Sequence, residues 1–101
     1  MAAYVIANVD VHDTTRYAEY VKAVPATIAR YGGRFVVRAG KAELLEGSWV
    51  PKRVVVLEFP SLERAKEWWS SEEYRPLRTL RQSVSSGDLI VVEGVAAGFA
   101  P

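Results

Sequence analysis

Hydrophobic and polar positions change period along this chain in a way that spells out a sequence of elements. Tyr4 to Val11 is rich in β-branched residues and ends in the polar cluster Asp10-Val11-His12-Asp13, which predicts a first strand. The next apolar positions, Tyr17, Tyr20, Val21, Val24, Ile28 and Tyr31, follow helical spacing, and Asp13 stands where an N-cap belongs. Pro25 interrupts that series and is expected to kink or restart the helix, because it cannot bond the Val21 carbonyl. Gly32-Gly33 provides a left-handed stop. Arg34 to Ala39 reads as a second strand and Lys41 to Lys52 as a long connection. Arg53 to Phe59 reads as a third strand, ended by Pro60.

Ser61 caps a second helix bearing Leu62, Ala65, Trp68 and Trp69. A break is expected at Ser70-Ser71. There Ser70 and Glu73 have capping-box spacing, and a further segment follows with Tyr74, Leu77, Leu80 and Val84 on its apolar face. Ser85 to Asp88 reads as a turn, Leu89 to Glu93 as a fourth strand, and Ala96 to Pro101 as a flexible small-residue tail after a single domain over residues 1–95. The order βαββαβ predicts a ferredoxin-like α+β sandwich, a four-stranded antiparallel sheet with helices on one face.

The third and fourth strands do not alternate. Val54 to Leu57 and Leu89 to Val92 are continuous apolar runs, whereas a sheet with one wet face should alternate. Helices can cover only one face, so the other predicts a homodimer through the non-helix face of the sheet. Coverage by the C-terminal tail is the competing explanation.

Composition narrows the function. Thirteen basic and twelve acidic residues in 101 give a net charge of +1, too little for a general nucleic-acid or membrane field. No cysteine is present, which excludes disulfides and thiolate chemistry. The N-terminus lacks a signal-peptide pattern and no apolar run is long enough to span a bilayer, so a cytoplasmic protein is expected. The βαββαβ order is shared with RNA-recognition motifs, but the third strand here carries no aromatic stacking platform. Phosphate loops and the Gly-x-Ser-x-Gly elbow are absent.

Several side chains could carry chemistry. Strand parity places Asn8, Arg38 and Glu58 on the non-helix face, where they could bind a small acid, move a proton, or form only a structural salt bridge. Trp68 and Trp69 must point in different directions, one inward and one toward a cleft or interface. Tyr17, Tyr20 and Tyr31 have core spacing. Arg75, Arg78 and Arg81 recur every third residue, as a solvated face does, although Arg81 could reach a pocket. His12, the sole histidine, is a possible general base, but Asp10-x-His12-Asp13 has too few convergent ligands for a metal.

Gly32-Gly33-Arg34, Arg38, Glu46-Gly47, Glu58-Phe59-Pro60-Ser61, Ala65, Ser71-Glu72-Glu73-Tyr74, Arg81 and Glu93-Gly94-Val95 form an ordered set. It resembles the domain-of-unknown-function family 1330 over nearly the whole chain. The resemblance implies a dimeric α+β barrel, in the same broad group as cofactor-independent monooxygenases and muconolactone isomerases. It brings no assigned activity. Related monooxygenases place a Trp and a following Tyr in the helix-two region of a pocket, for which Trp68 and Tyr74 are the analogues here. The expectation is a cofactor-independent enzyme, or a binder, of a small acidic or aromatic metabolite, the alternative being a non-catalytic ligand-binding or protein-interaction domain. Glu58 or His12 would handle a proton, and Asn8, Arg38, Tyr20, Trp68, Tyr74 and Arg81 would bind, with no metal.

Overall fold

Alternation along the first strand is realised as β1 (Ala3–Val11), where Ala3, Val5, Ala7 and Val9 are buried and Tyr4, Ile6 and Asn8 face the other way. The computed structural model describes residues 1–95, so the tail expected over Ala96–Pro101 lies outside the described residues. After β1 come α1 (Thr14–Arg30), β2 (Arg34–Arg38), β3 (Arg53–Phe59), α2 (Leu62–Ser70), α3 (Arg75–Val84) and β4 (Ser85–Glu93). The sheet order is β2-β3-β1-β4, antiparallel throughout, which is the ferredoxin-like arrangement. One face packs on the helices through Val5, Ala7, Val9, Leu57 and Phe59, which meet Tyr17, Tyr20, Val24, Ile28, Ala65, Trp68, Tyr74 and Val84 in a single core. Among the described residues no helix is long and apolar enough to cross a membrane.

The caps follow the sequence at two helices and depart from it at the third. Asp13 accepts from the Arg16 N–H at 3.1 Å to start α1, and Ser61 accepts from the Arg64 N–H at 3.2 Å to start α2. Gly32, at φ 79°, ends the α1 turn. The break after α2 is held by Ser71, not Ser70. The Ser71 hydroxyl accepts from the Tyr74 N–H at 3.2 Å and donates to the Trp68 carbonyl at 2.8 Å. The Ser70 hydroxyl is turned back onto the Lys66 carbonyl, so Ser70 and Glu73 form no capping box.

Three further expectations are corrected. Of the two outcomes expected at Pro25, a kink or a restart, the restart does not occur, because α1 runs unbroken from Thr14 to Arg30. Ser85 to Asp88 is not a turn, because those residues pair with Val11 to Asn8 and form the first half of β4. In β2, Val36 is an extra residue. Phe35 pairs with Leu57 but Val37 pairs with Val56, so the strand bulges between them and everything after Val36 changes face.

Candidate functional site

A small cavity of ≈ 40 Å³ lies between the sheet and α1, walled by aromatic and aliphatic side chains. That is room for a few waters. Trp68 of α2 is fully buried beneath it, with its ring centroid 4.1 Å from that of Tyr74 and 5.5 Å from that of Phe59. The Trp68 indole N–H donates to the Thr27 hydroxyl at 3.1 Å, which fixes the ring. Tyr20 points from α1 into the same wall, and its hydroxyl meets that of Tyr74 at 2.7 Å. Burial, more than the neighbouring Tyr74, pushes the Tyr20 phenol well above its ordinary pKa, so it remains a neutral hydrogen-bonding group.

Three guanidiniums line this cavity: Arg38, Arg53 and Arg81. Arg81 is only 8 % exposed, and its Nε–H donates to the Tyr74 hydroxyl at 3.2 Å. The solvated face expected for the arginines of α3 therefore ends at Arg78. Arg75 pairs with Glu72, Arg78 lies over the Trp69 ring, and Arg81 turns inward. Trp69 is the outward member of the tryptophan pair, 43 % exposed. Arg53, on the helix face opposite Val9, holds its Cζ 5.4 Å from the Tyr17 ring centroid. Its Nε is buried without a hydrogen-bond partner. Among the described residues, none of Arg38, Arg53 and Arg81 forms an ion pair.

Past Tyr17, Val21 and Arg53, which border both spaces, lies an open cleft of ≈ 340 Å³ lined also by Val11, Thr14, Ala18 and Lys22. Neither lining contains an Asp, Glu or His. Arginine does not deprotonate in proteins, and a buried charge without a counter-ion is costly. The cavity and the neighbouring cleft thus present several cations, one of them nearly buried, against an apolar aromatic wall.

The residues singled out in the sequence divide between two faces. Tyr20, Trp68, Tyr74, Arg81 and Arg38 gather around the cavity. Asn8, Glu58 and His12 do not. The bulge at Val36 carries Arg38 to the helix face, opposite Val55, so Asn8, Arg38 and Glu58 never converge. Asn8 instead accepts from the Lys52 N–H at 2.9 Å. Glu58 accepts from the Tyr4 hydroxyl at 3.0 Å and pairs with Arg34 at 2.8 Å. The Tyr4 hydrogen bond and then the Arg34 guanidinium hold the Glu58 carboxyl below the usual range, the opposite of what a proton-abstracting base needs at neutral pH. His12 is exposed, with Nε2 2.9 Å from the Ser86 hydroxyl. Among the described residues, no three His, Asp or Glu side chains gather as a metal site would. Two lining residues, Arg53 and Tyr17, are not among the candidates that the sequence singles out for binding. Arg53 shares parity with Val55, Leu57 and Phe59, a signal present in the sequence.

Comparison with known proteins places the chain. The model of the family "Domain of unknown function (DUF1330)" matches residues 2–95. The chain belongs to this family. No curated protein matches the sequence. Among solved structures, this DUF1330 chain is similar to RPA0582, a protein of unknown function from Rhodopseudomonas palustris. They share 19 % identity over 94 % of this chain and 83 % of that one, with a TM-score of 0.76. It is also similar to SnoaB, a cofactor-independent oxygenase from Streptomyces nogalater, at 13 % identity over 96 % of both chains and a TM-score of 0.65. HapK from Hahella chejuensis gives 13 % identity over 98 % of both chains and a TM-score of 0.60. At these identities the likeness shows the fold alone.

Proposed function

We propose that this DUF1330 chain binds a small organic anion with an aromatic or otherwise apolar body, seated between the sheet and α1. One observation carries the reading: Arg81 is nearly buried, and it shares its cavity with Arg38 and Arg53 and with no carboxylate. A ligand anion would supply the missing counter-charge at the deep end. The cleft beyond, at ≈ 340 Å³, is at the small end of ligand-site volumes and takes the apolar body beside Tyr17 and Val21. The likeness to a cofactor-independent oxygenase fits a ligand that needs no tightly held cofactor. With no Asp, Glu or His in either lining and three guanidiniums around the cavity, the site favours electrostatic stabilisation of a substrate that itself ionises to an oxyanion, or plain binding.

A thermal-shift series of benzoate, salicylate and hydroxynaphthoquinones, each beside its amide or methyl ether, tests this. A ligand of the folded state adds about 2.7 kcal/mol of stability at a hundredfold excess over its Kd. The expected result is stabilisation by the anions only, lost in Arg81→Met, which itself folds because the substitution removes an unpaired buried charge and keeps the aliphatic bulk. Equal shifts from charged and neutral analogues, or none from either, would sink the reading. Recovery of the ligand unchanged after incubation separates a binder from an enzyme.

We also infer that the chain assembles as a homodimer through the uncovered sheet face, closing a dimeric α+β barrel. Val37, Val56, Ile6 and Ile90 stand in register across all four strands as one aliphatic row. Rows containing Arg34, Glu58 and Tyr4 on one side and Asn8 and Asp88 on the other give that row a polar rim, the anatomy of an association surface.

A further inference from the structure

Pro25 is a strongly disfavoured residue for the interior of a 17-residue helix, yet α1 continues through it. Its ring has no N–H for the Val21 carbonyl and crowds that carbonyl from the following turn. The carbonyl is nevertheless satisfied: Arg38 Nη2 donates to it at 2.9 Å. Arg38 is within reach only because the Val36 bulge turns it to the helix face, and its Cζ rests 4.3 Å from the Phe35 ring centroid. A proline inside a helix, an extra residue in a strand and a ring three positions earlier all act on one guanidinium at the cavity.

We propose that Pro25 is a positioning residue: by withholding its N–H it leaves the Val21 carbonyl as a dock that holds Arg38 in place for the anion. The ligand half of this inference rests on the anion-binding reading above; the docking half does not. The chemistry of the dock matters. A carboxylate would fix Arg38 equally well but cancel its charge. A backbone carbonyl is a neutral acceptor that occupies one of five guanidinium donors and leaves the full positive charge for the ligand.

The test compares wild type with Pro25→Ala, Arg38→Ala and the double variant. Side-chain ¹⁵Nε–¹Hε relaxation reads the order of Arg38 without ligand, and salicylate titration, followed by the same signals, reads binding. In Pro25→Ala the new N–H takes the Val21 carbonyl. Arg38 is then expected to become mobile while the melting temperature is kept or raised. Salicylate binding is expected to weaken about fivefold, the loss of one ordinary hydrogen bond, with no further loss in the double variant relative to Arg38→Ala. An Arg38 as ordered in Pro25→Ala as in wild type overturns the proposal. So does additive weakening in the double variant. If wild type binds no salicylate but Arg38 still loosens in Pro25→Ala, the dock stands and the anion reading falls. A plain structural role for Pro25 would lower stability and leave Arg38 order untouched.

Discussion

Glu58 faces Tyr4 across the β1–β3 pairing and Arg34 across the β2–β3 pairing, and both partners act on its carboxylate. Its pKa is lowered in the folded chain, so it contributes stability above the unfolded carboxylate value, and that contribution is lost as pH falls through the folded value. Glu58→Gln is therefore expected to melt lower than wild type at neutral pH, with the gap closing as the pH drops below the ordinary pKa of 4.5. Melting curves from pH 7 down to about pH 3 check this; a gap that stays constant would mean that the pair contributes through packing alone. Parity in the sequence is enough to put Glu58 on this face, because β1 and β3 are regular. It cannot place Arg38. A single inserted residue reverses every later side chain, and nothing in Arg34-Phe-Val-Val-Arg38 marks Val36 as the bulged one. The inward turn of Arg81 is masked for a different reason: its spacing from Arg75 and Arg78 suggests a solvated face, although it also stands two helical turns after Tyr74, the N-cap residue of α3, whose hydroxyl accepts from its Nε–H.

At the scale of elements, the first half of β4 is the least legible. Ser85-Ser86-Gly87-Asp88 has turn composition, but pairing with the other edge of β1 overrides local preference. Gly87 makes the pairing possible. It adopts φ 143°, and a Cβ there would sit 2.0 Å from the Asn8 carbonyl oxygen. Gly87→Ala is accordingly expected to cost about 2–3 kcal/mol, from backbone strain and displacement of the β1 edge. Gly40→Ala, with nothing within 4 Å and no positive φ, should stay within about 0.5 kcal/mol of wild type. Urea denaturation of the two variants makes the comparison, and equal stability would mean that β4 begins later than Ser85. Where caps, prolines and apolar periods are local, as at Asp13, Pro60-Ser61 and the whole of β3, the sequence is sufficient.

At the scale of the molecule, the sheet has two apolar faces and one layer of helices. The unbroken runs Val54–Leu57 and Leu89–Val92 carry this in the amino-acid sequence itself, because only a sheet covered on both sides tolerates them in water. In the free chain Ile90 is 57 % exposed, Val92 43 % and Val37 37 %, an arrangement that a second copy would bury in a two-fold contact. Val56 stands between Val37 and Ile6 in the aliphatic row, so in the proposed dimer Val56→Lys would put a charge into the contact twice over, once from each copy. Sedimentation velocity at micromolar concentration should give twice the 11.2 kDa chain mass for wild type and the single-chain mass for Val56→Lys. Glu19→Lys, an exposed change on α1 in the helix layer, should remain dimeric. The cavity lies on the opposite side of the sheet from this row, so the Val56→Lys monomer is also expected to keep its response to aromatic anions. A wild type that sediments as a single chain would leave the aliphatic row without a partner and remove the barrel from the architecture, while the arginine-lined cavity would stand unchanged.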